Sequence, residues 1–106
     1  MCKTMKVIKV EADFSADPLW CHKCSTNLDS EDFPLSEALK KELFEWVDAY
    51  GTWIDWETDG IVAGGVDMET AHNARGAELT ERVRKELPQY EVHFSPSTYA
   101  KRRSEV

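Results

Sequence analysis

Trp20-Cys21-His22-Lys23-Cys24 holds the residue types closest to chemistry in this chain. Two thiols separated by two residues suit dithiol exchange, which needs a low-pKa thiolate at a helix start and a second thiol to resolve the mixed disulfide. The same spacing also suits half of a zinc site, where the backbone bends so that both sulfurs meet one metal. The segment that follows, Ser25-Thr26-Asn27-Leu28-Asp29-Ser30, is polar and turn-like, so the helix that a thioredoxin-type thiolate requires is missing. No second such pair exists, and Cys2, His22, His72 and His93 are the soft residues left to complete a four-ligand set. Zinc at Cys21 and Cys24, completed by Cys2 or His22, is the alternative reading. The plainer expectation is a pair of reduced thiols in an ordered loop, with no cofactor, because three cysteines do not make a disulfide framework.

A second stretch, Asp55-Trp56-Glu57-Thr58-Asp59-Gly60, places carboxylates at the first, third and fifth positions of an EF-hand loop and glycine at the sixth. The twelfth position, which needs a bidentate glutamate, is Val66. A solvated acidic loop with an aromatic anchor is the better reading. Gly64-Gly65 lacks the lysine and hydroxyl of a phosphate-binding loop. His72 falls on a helical apolar stripe and is expected to be packed and hydrogen-bonded, and His93 to be exposed on a strand. No Ser/His/Asp set or paired carboxylates sit at a spacing that local structure would fix, so the reading leans away from an enzyme.

The elements that position these residues follow from periodicity. Ile8, Val10, Ala12 and Phe14 alternate with Lys9, Glu11 and Asp13, a strand with one buried face. Residues 15–34 show no helical stripe and read as a long loop carrying the cysteine pair. Ser36 is the expected N-cap of a first helix whose Leu39, Leu43, Trp46, Val47 and Tyr50 share one face, with Gly51 as its stop. A second helix is expected after Asp67 as N-cap, running to Leu87 before Pro88, with Gly76 allowing a close crossing with the first. Tyr90, Val92 and Phe94 form a further alternating strand. The expectation is a single α+β domain over 1–106 in β-α-α-β order, two helices packed on a two- or three-stranded sheet. A third short strand would fall in 53–66, and 99–106 would be a frayed tail.

The 106 residues include thirteen basic and twenty acidic side chains, a net charge of −7 that opposes binding to nucleic-acid phosphates. No stretch approaches the roughly 20 apolar residues of a membrane span, and the start shows no secretory pattern, so a cytoplasmic location is expected.

Pro18-Leu19-Trp20, Phe33-Pro34-Leu35-Ser36, Leu39, Leu43, Trp46, Tyr50, Gly76, Leu79 and Tyr90-Glu91-Val92 together resemble an uncharacterised family of short acidic bacterial proteins. The resemblance spans nearly the whole chain and carries no activity with it. It implies that the cysteine pair is a local elaboration, since the segment after Pro-Leu-Trp varies. By analogy, such proteins suggest antitoxin-like partners.

The sequence therefore points to a non-enzymatic protein-binding module, an inhibitor or immunity-like partner of a basic protein. Its contact residues are expected at Trp53, Asp55, Glu57 and Asp59. An extended Trp53–Asp59 segment would put Ile54 and Trp56 on one side and Trp53, Asp55 and Glu57 on the other. Carboxylates flanking an indole suit Arg and Lys, through charge-assisted hydrogen bonds and cation–π contact. The alternative from another class is the small zinc- or thiol-dependent protein built on Cys21 and Cys24.

Overall fold

A computed structural model of the chain describes residues 6–100. Its elements run β1 (Val7–Val10), β2 (Leu19–Cys21), α1 (Glu37–Asp48), β3 (Ile54–Asp55), β4 (Gly60–Ile61), α2 (Gly65–Glu86) and β5 (Glu91–Phe94). The main sheet has the order β2-β1-β5, with β1 antiparallel to β2 and parallel to β5. Two helices on a small sheet make this an α+β single domain. Among the described residues no helix is long and apolar enough to cross a membrane.

The inward face of β1, Ile8 and Val10, is wholly buried, as its alternation predicts. It packs with Leu19, Leu39, Leu43, Leu79, Val83, Leu87 and Val92 in one core. The strand is shorter than its alternation, because both of its neighbours run out at Val10, which pairs with Leu19 and Phe94. Beyond it, Phe14 and Ser15 turn the chain, with Ser15 at φ 55°. Residues 15–34 are not all loop: β2 lies there, with a short 3-10 turn at Ser30–Asp32. A three-residue strand is too short for a periodicity to register.

Ser36 caps α1 as expected, its hydroxyl oxygen accepting from the Leu39 N–H at 3.2 Å. The cap is itself held by Glu86 at the far end of α2, which accepts from the Ser36 N–H at 2.6 Å and its hydroxyl at 2.9 Å. The helix α2 begins before Asp67, at Gly65, with Gly64 as a cap that makes no side-chain bond. A side chain at Gly65 would run into Ile61 and the Trp53 backbone, so packing against the preceding hairpin sets this start.

The two helices are fastened midway by a reciprocal pair. The Trp46 indole N–H donates to the His72 carbonyl at 2.8 Å, and His72 Nε2 donates to the Trp46 carbonyl at 2.8 Å. Their rings stack 4.7 Å apart at 12°. One turn on, a Cβ at Gly76 would sit 2.6 Å from both Trp46 and Phe94, so the expected close crossing is real and uses the missing side chain. At the surface, Glu42 of α1 accepts from Arg75 at 2.7 Å and pairs with Arg82 at 2.5 Å. These two guanidiniums hold its carboxyl below the usual range.

Leu43 is fully buried at the centre of this contact. Leu43→Ala is expected to lower the unfolding free energy by about 2–5 kcal/mol in urea titrations; a loss below about 0.5 kcal/mol would match a surface residue instead.

Burial pushes the His72 pKa down, against opposing effects of the Trp46 carbonyl and the nearby Glu69 carboxylate. Above its unfolded value of about 6.5 His72 is neutral in both states and adds no pH dependence. As pH falls below that value, the unfolded chain takes up a proton that the folded chain refuses, so stability declines until the folded pKa is passed. Thermal melts between about pH 7.5 and 5 should therefore show a falling midpoint. His72→Gln, which keeps a donor for the Trp46 carbonyl, should flatten that slope; an unchanged slope would assign it to other groups.

Candidate functional site

Parallel pairing sends β1 and β5 off the same edge of the sheet, and the chain leaves them through Glu11–Ser15 and Ser95–Tyr99. Adjacent parallel strands whose continuations separate leave a crevice beyond their carboxyl ends. Here it is a cavity of about 470 Å³ whose walls include Glu11, Asp13, Tyr50, His72, Ser97 and Tyr99. The far wall is pinned to α2. Asn73 donates to the Ser97 carbonyl and accepts from the Ser97 N–H, each at 2.9 Å. The buried Glu69 carboxylate accepts from the Ser97 hydroxyl at 2.7 Å and the Ala100 N–H at 2.9 Å. Residue 99, read from sequence as the start of the tail, is Tyr99 of this wall, and Ala100 is tied to Glu69 behind it, while 101–106 lie outside the described residues.

The near wall is acidic. Glu11 accepts from the Ser95 hydroxyl at 2.5 Å and pairs with Lys9 at 3.5 Å. Asp13 accepts from the Phe14 N–H at 2.8 Å, closing the turn that follows. Burial raises the Tyr50 pKa; a hydrogen bond with Ser97 opposes this, and the charges of Asp13, Glu69 and Glu11 add to it. The phenol stays protonated, available to donate.

Beside the cavity lies an aromatic patch. Phe14 is 51% exposed and Trp56 64% exposed, their rings 5.4 Å apart and near edge-on, with Phe14 also 4.8 Å from Tyr50. Gly51, at φ 86°, makes room beneath them, since a Cβ there would sit 2.6 Å from Phe14. Next to Phe14 a smaller recess is lined by residues that include Phe44, Asp17 and Asp48. Large exposed rings that touch one another amid carboxylates are what a protein-binding hot spot offers.

The expected contact residues divide. Asp55, Glu57 and Asp59 lie in the hairpin joining β3 to β4, where Asp55 pairs with Gly60 and its carboxylate accepts from the Glu57 N–H at 3.0 Å. This hairpin fills the place of a third strand and is too tight for an EF-hand loop. Trp53 is 1% exposed, packed against Tyr50 and His72, so the indole shown to solvent is that of Trp56. Tyr50 and Phe14 were missed because α1 stops before Tyr50 and β1 stops before Phe14. The turn-forming Ser15-Ala16-Asp17-Pro18 run was the available signal that the strand had already ended.

The cysteine pair is divided between interior and surface. Cys21 is buried in β2 opposite Ile8, and Cys24 is exposed, 3.1 Å from the Thr26 hydroxyl. His22 stacks on His93 at 4.3 Å, and His93 Nε2 lies 2.6 Å from Glu91. Among the described residues no three His, Cys, Asp or Glu side chains converge to hold a metal ion. Cys2, the other ligand considered, lies outside the described residues, and nothing here favours the zinc alternative.

A family model described as Serratia CdiI immunity protein-like matches residues 6–97, a span that takes in every strand and helix given above. No curated protein matches the chain.

Proposed function

The chain belongs to the Serratia CdiI immunity protein-like family, and from that premise we propose that it is an immunity protein that forms an inhibitory complex with a toxin polypeptide in the cytoplasm. The observation that carries the reading to a particular surface is the Phe14–Trp56 pair. Phe14, Phe44 and Trp56 leave apolar area in water beside the cavity; Asp13, Asp17 and Asp48 line the adjoining recesses, and Asp55 and Glu57 flank Trp56 along the chain. A rigid aromatic centre with a charged rim is the anatomy of a protein interface. The rim's sign, with the net charge of −7, fits a partner that is basic where it docks. Long-range attraction of that kind speeds encounter, which suits an inhibitor that must reach its toxin before the toxin acts.

The site residues in this proposal are Trp56, Asp55, Glu57 and Asp59 from the hairpin, and Phe14 from the turn after β1. Trp53 supports them from beneath.

Cells expressing a toxin of the kind these immunity proteins neutralise are expected to grow when the chain is co-expressed and to yield a stoichiometric complex. Trp56→Ala and Glu57→Lys change solvent-exposed side chains and should leave the melting midpoint within a few degrees of wild type. Together they should weaken the complex by at least about thirtyfold, the scale of a lost hot-spot residue. Asp55 is left in place because its carboxylate caps the hairpin turn. Equal binding by the double variant at low salt would move the interface elsewhere, and no complex with any such toxin would overturn the proposal.

A further inference from the structure

The cavity at the carboxyl ends of β1 and β5 has a one-sided chemistry. Its charged walls are carboxylates, Glu11 and Asp13, and no lysine or arginine lines it among the described residues. Its rings, Trp46, Tyr50 and Tyr99, offer π faces. Its wall also includes His72, which is more than nine-tenths buried. Because His72 Nε2 faces a carbonyl oxygen, that nitrogen carries the proton, and Nδ1 of the neutral ring is an acceptor. Nδ1 is buried and has no hydrogen-bond partner. It is also out of reach of a water-sized group, so it is no contact point for a guest.

We propose that this cavity receives an arginine side chain of the toxin, whose guanidinium meets Glu11 and Asp13 and lies against the tyrosine rings. The inference rests on the reading that a protein partner docks on this face, and it names the anchor. Tyr50 joins the two features, lining the cavity while its ring packs at a tilt against Phe14 of the patch. A partner seated on Phe14 and Trp56 is therefore placed to extend a side chain into the adjoining cavity. Guanidinium fits better than ammonium on three counts. Its planar fork supplies several donors in fixed directions, it stacks on aromatic faces, and it gives up hydration more readily. The volume, about 470 Å³, lies within the roughly 300–1,000 Å³ range of ligand pockets and admits the side chain with its methylene stem. Burial pushes the His72 pKa down, so the ring adds no positive charge to the wall at neutral pH, and Lys9, which pairs with Glu11 at 3.5 Å, lies outside the lining.

The test uses the intact chain and three probes, the amides of N-acetyl-arginine, N-acetyl-lysine and N-acetyl-citrulline, titrated against amide and indole N–H resonances. Citrulline keeps the shape of arginine and lacks its charge. The arginine probe should give saturable shifts at Ala12, Asp13, Ser97 and the Trp46 indole. The citrulline and lysine probes should bind at least about tenfold more weakly, as expected when a charge-assisted fork is lost. Asp13→Asn, an exposed position whose side chain still accepts from the Phe14 N–H, should weaken the arginine probe severalfold, and Glu11→Gln should do the same. Equal binding of citrulline or lysine, shifts that never saturate, or saturable shifts confined to other surfaces would each overturn the proposal. Toxin binding without arginine binding would refute the pocket alone, whereas arginine binding without any toxin complex would refute the immunity reading alone.

Discussion

Two hydrogen bonds between Trp46 and His72, each side chain reaching the other's main chain, fix how α1 lies on α2. The pairing sets the helix spacing through the stacked rings and fixes the helix register through the carbonyls. It also satisfies the indole N–H and one imidazole nitrogen where water is largely excluded, which is the condition for burying such groups at all. Gly76, one turn beyond His72, lets Trp46 and Phe94 approach α2 in the same layer. The Ser36–Glu86 bonds at one end then need only close a gap whose width is already determined.

The proposed binding face inherits its shape from this joint. Trp46 and His72 form the floor of the cavity between the ends of β1 and β5. Trp53 packs on the His72 ring and carries the hairpin outward, so that Trp56 emerges beside Phe14. Thus the helix contact, the cavity and the exposed aromatic pair are consecutive layers of one stack. A histidine with an unused buried acceptor is a poor choice for stability alone.

Much of the fold was legible because its signals are local. The apolar face from Leu39 to Val47, the Ser36 cap and the stop before Pro88 each depend on a few neighbouring residues, and each has its expected form. What was not legible depends on partners distant in sequence. The end of β1 is set by where β2 and β5 stop pairing, and the start of α2 by contact with Ile61 and Trp53. In the proposed face, the hairpin acids could be found from their clustering. Which tryptophan they accompany could not, because the alternation of an extended strand puts Trp53 beside Asp55 and Glu57, whereas the hairpin buries Trp53 and turns Trp56 outward. Glu11, Asp13, Tyr50 and His72 come together only through the parallel β1–β5 pairing, which no local pattern announces.

The central claim is that one face, from the β1 exit through the hairpin to the β5 exit, meets the toxin. Amide hydrogen exchange of the intact chain, alone and in complex, tests it most directly. The account predicts slowed exchange in residues 11–15, 50–61 and 95–99, with the Cys21–Asn27 turn unchanged. Protection centred on Cys21–Asn27 or on the outer side of α2, with the hairpin exchanging as in the free protein, would contradict it.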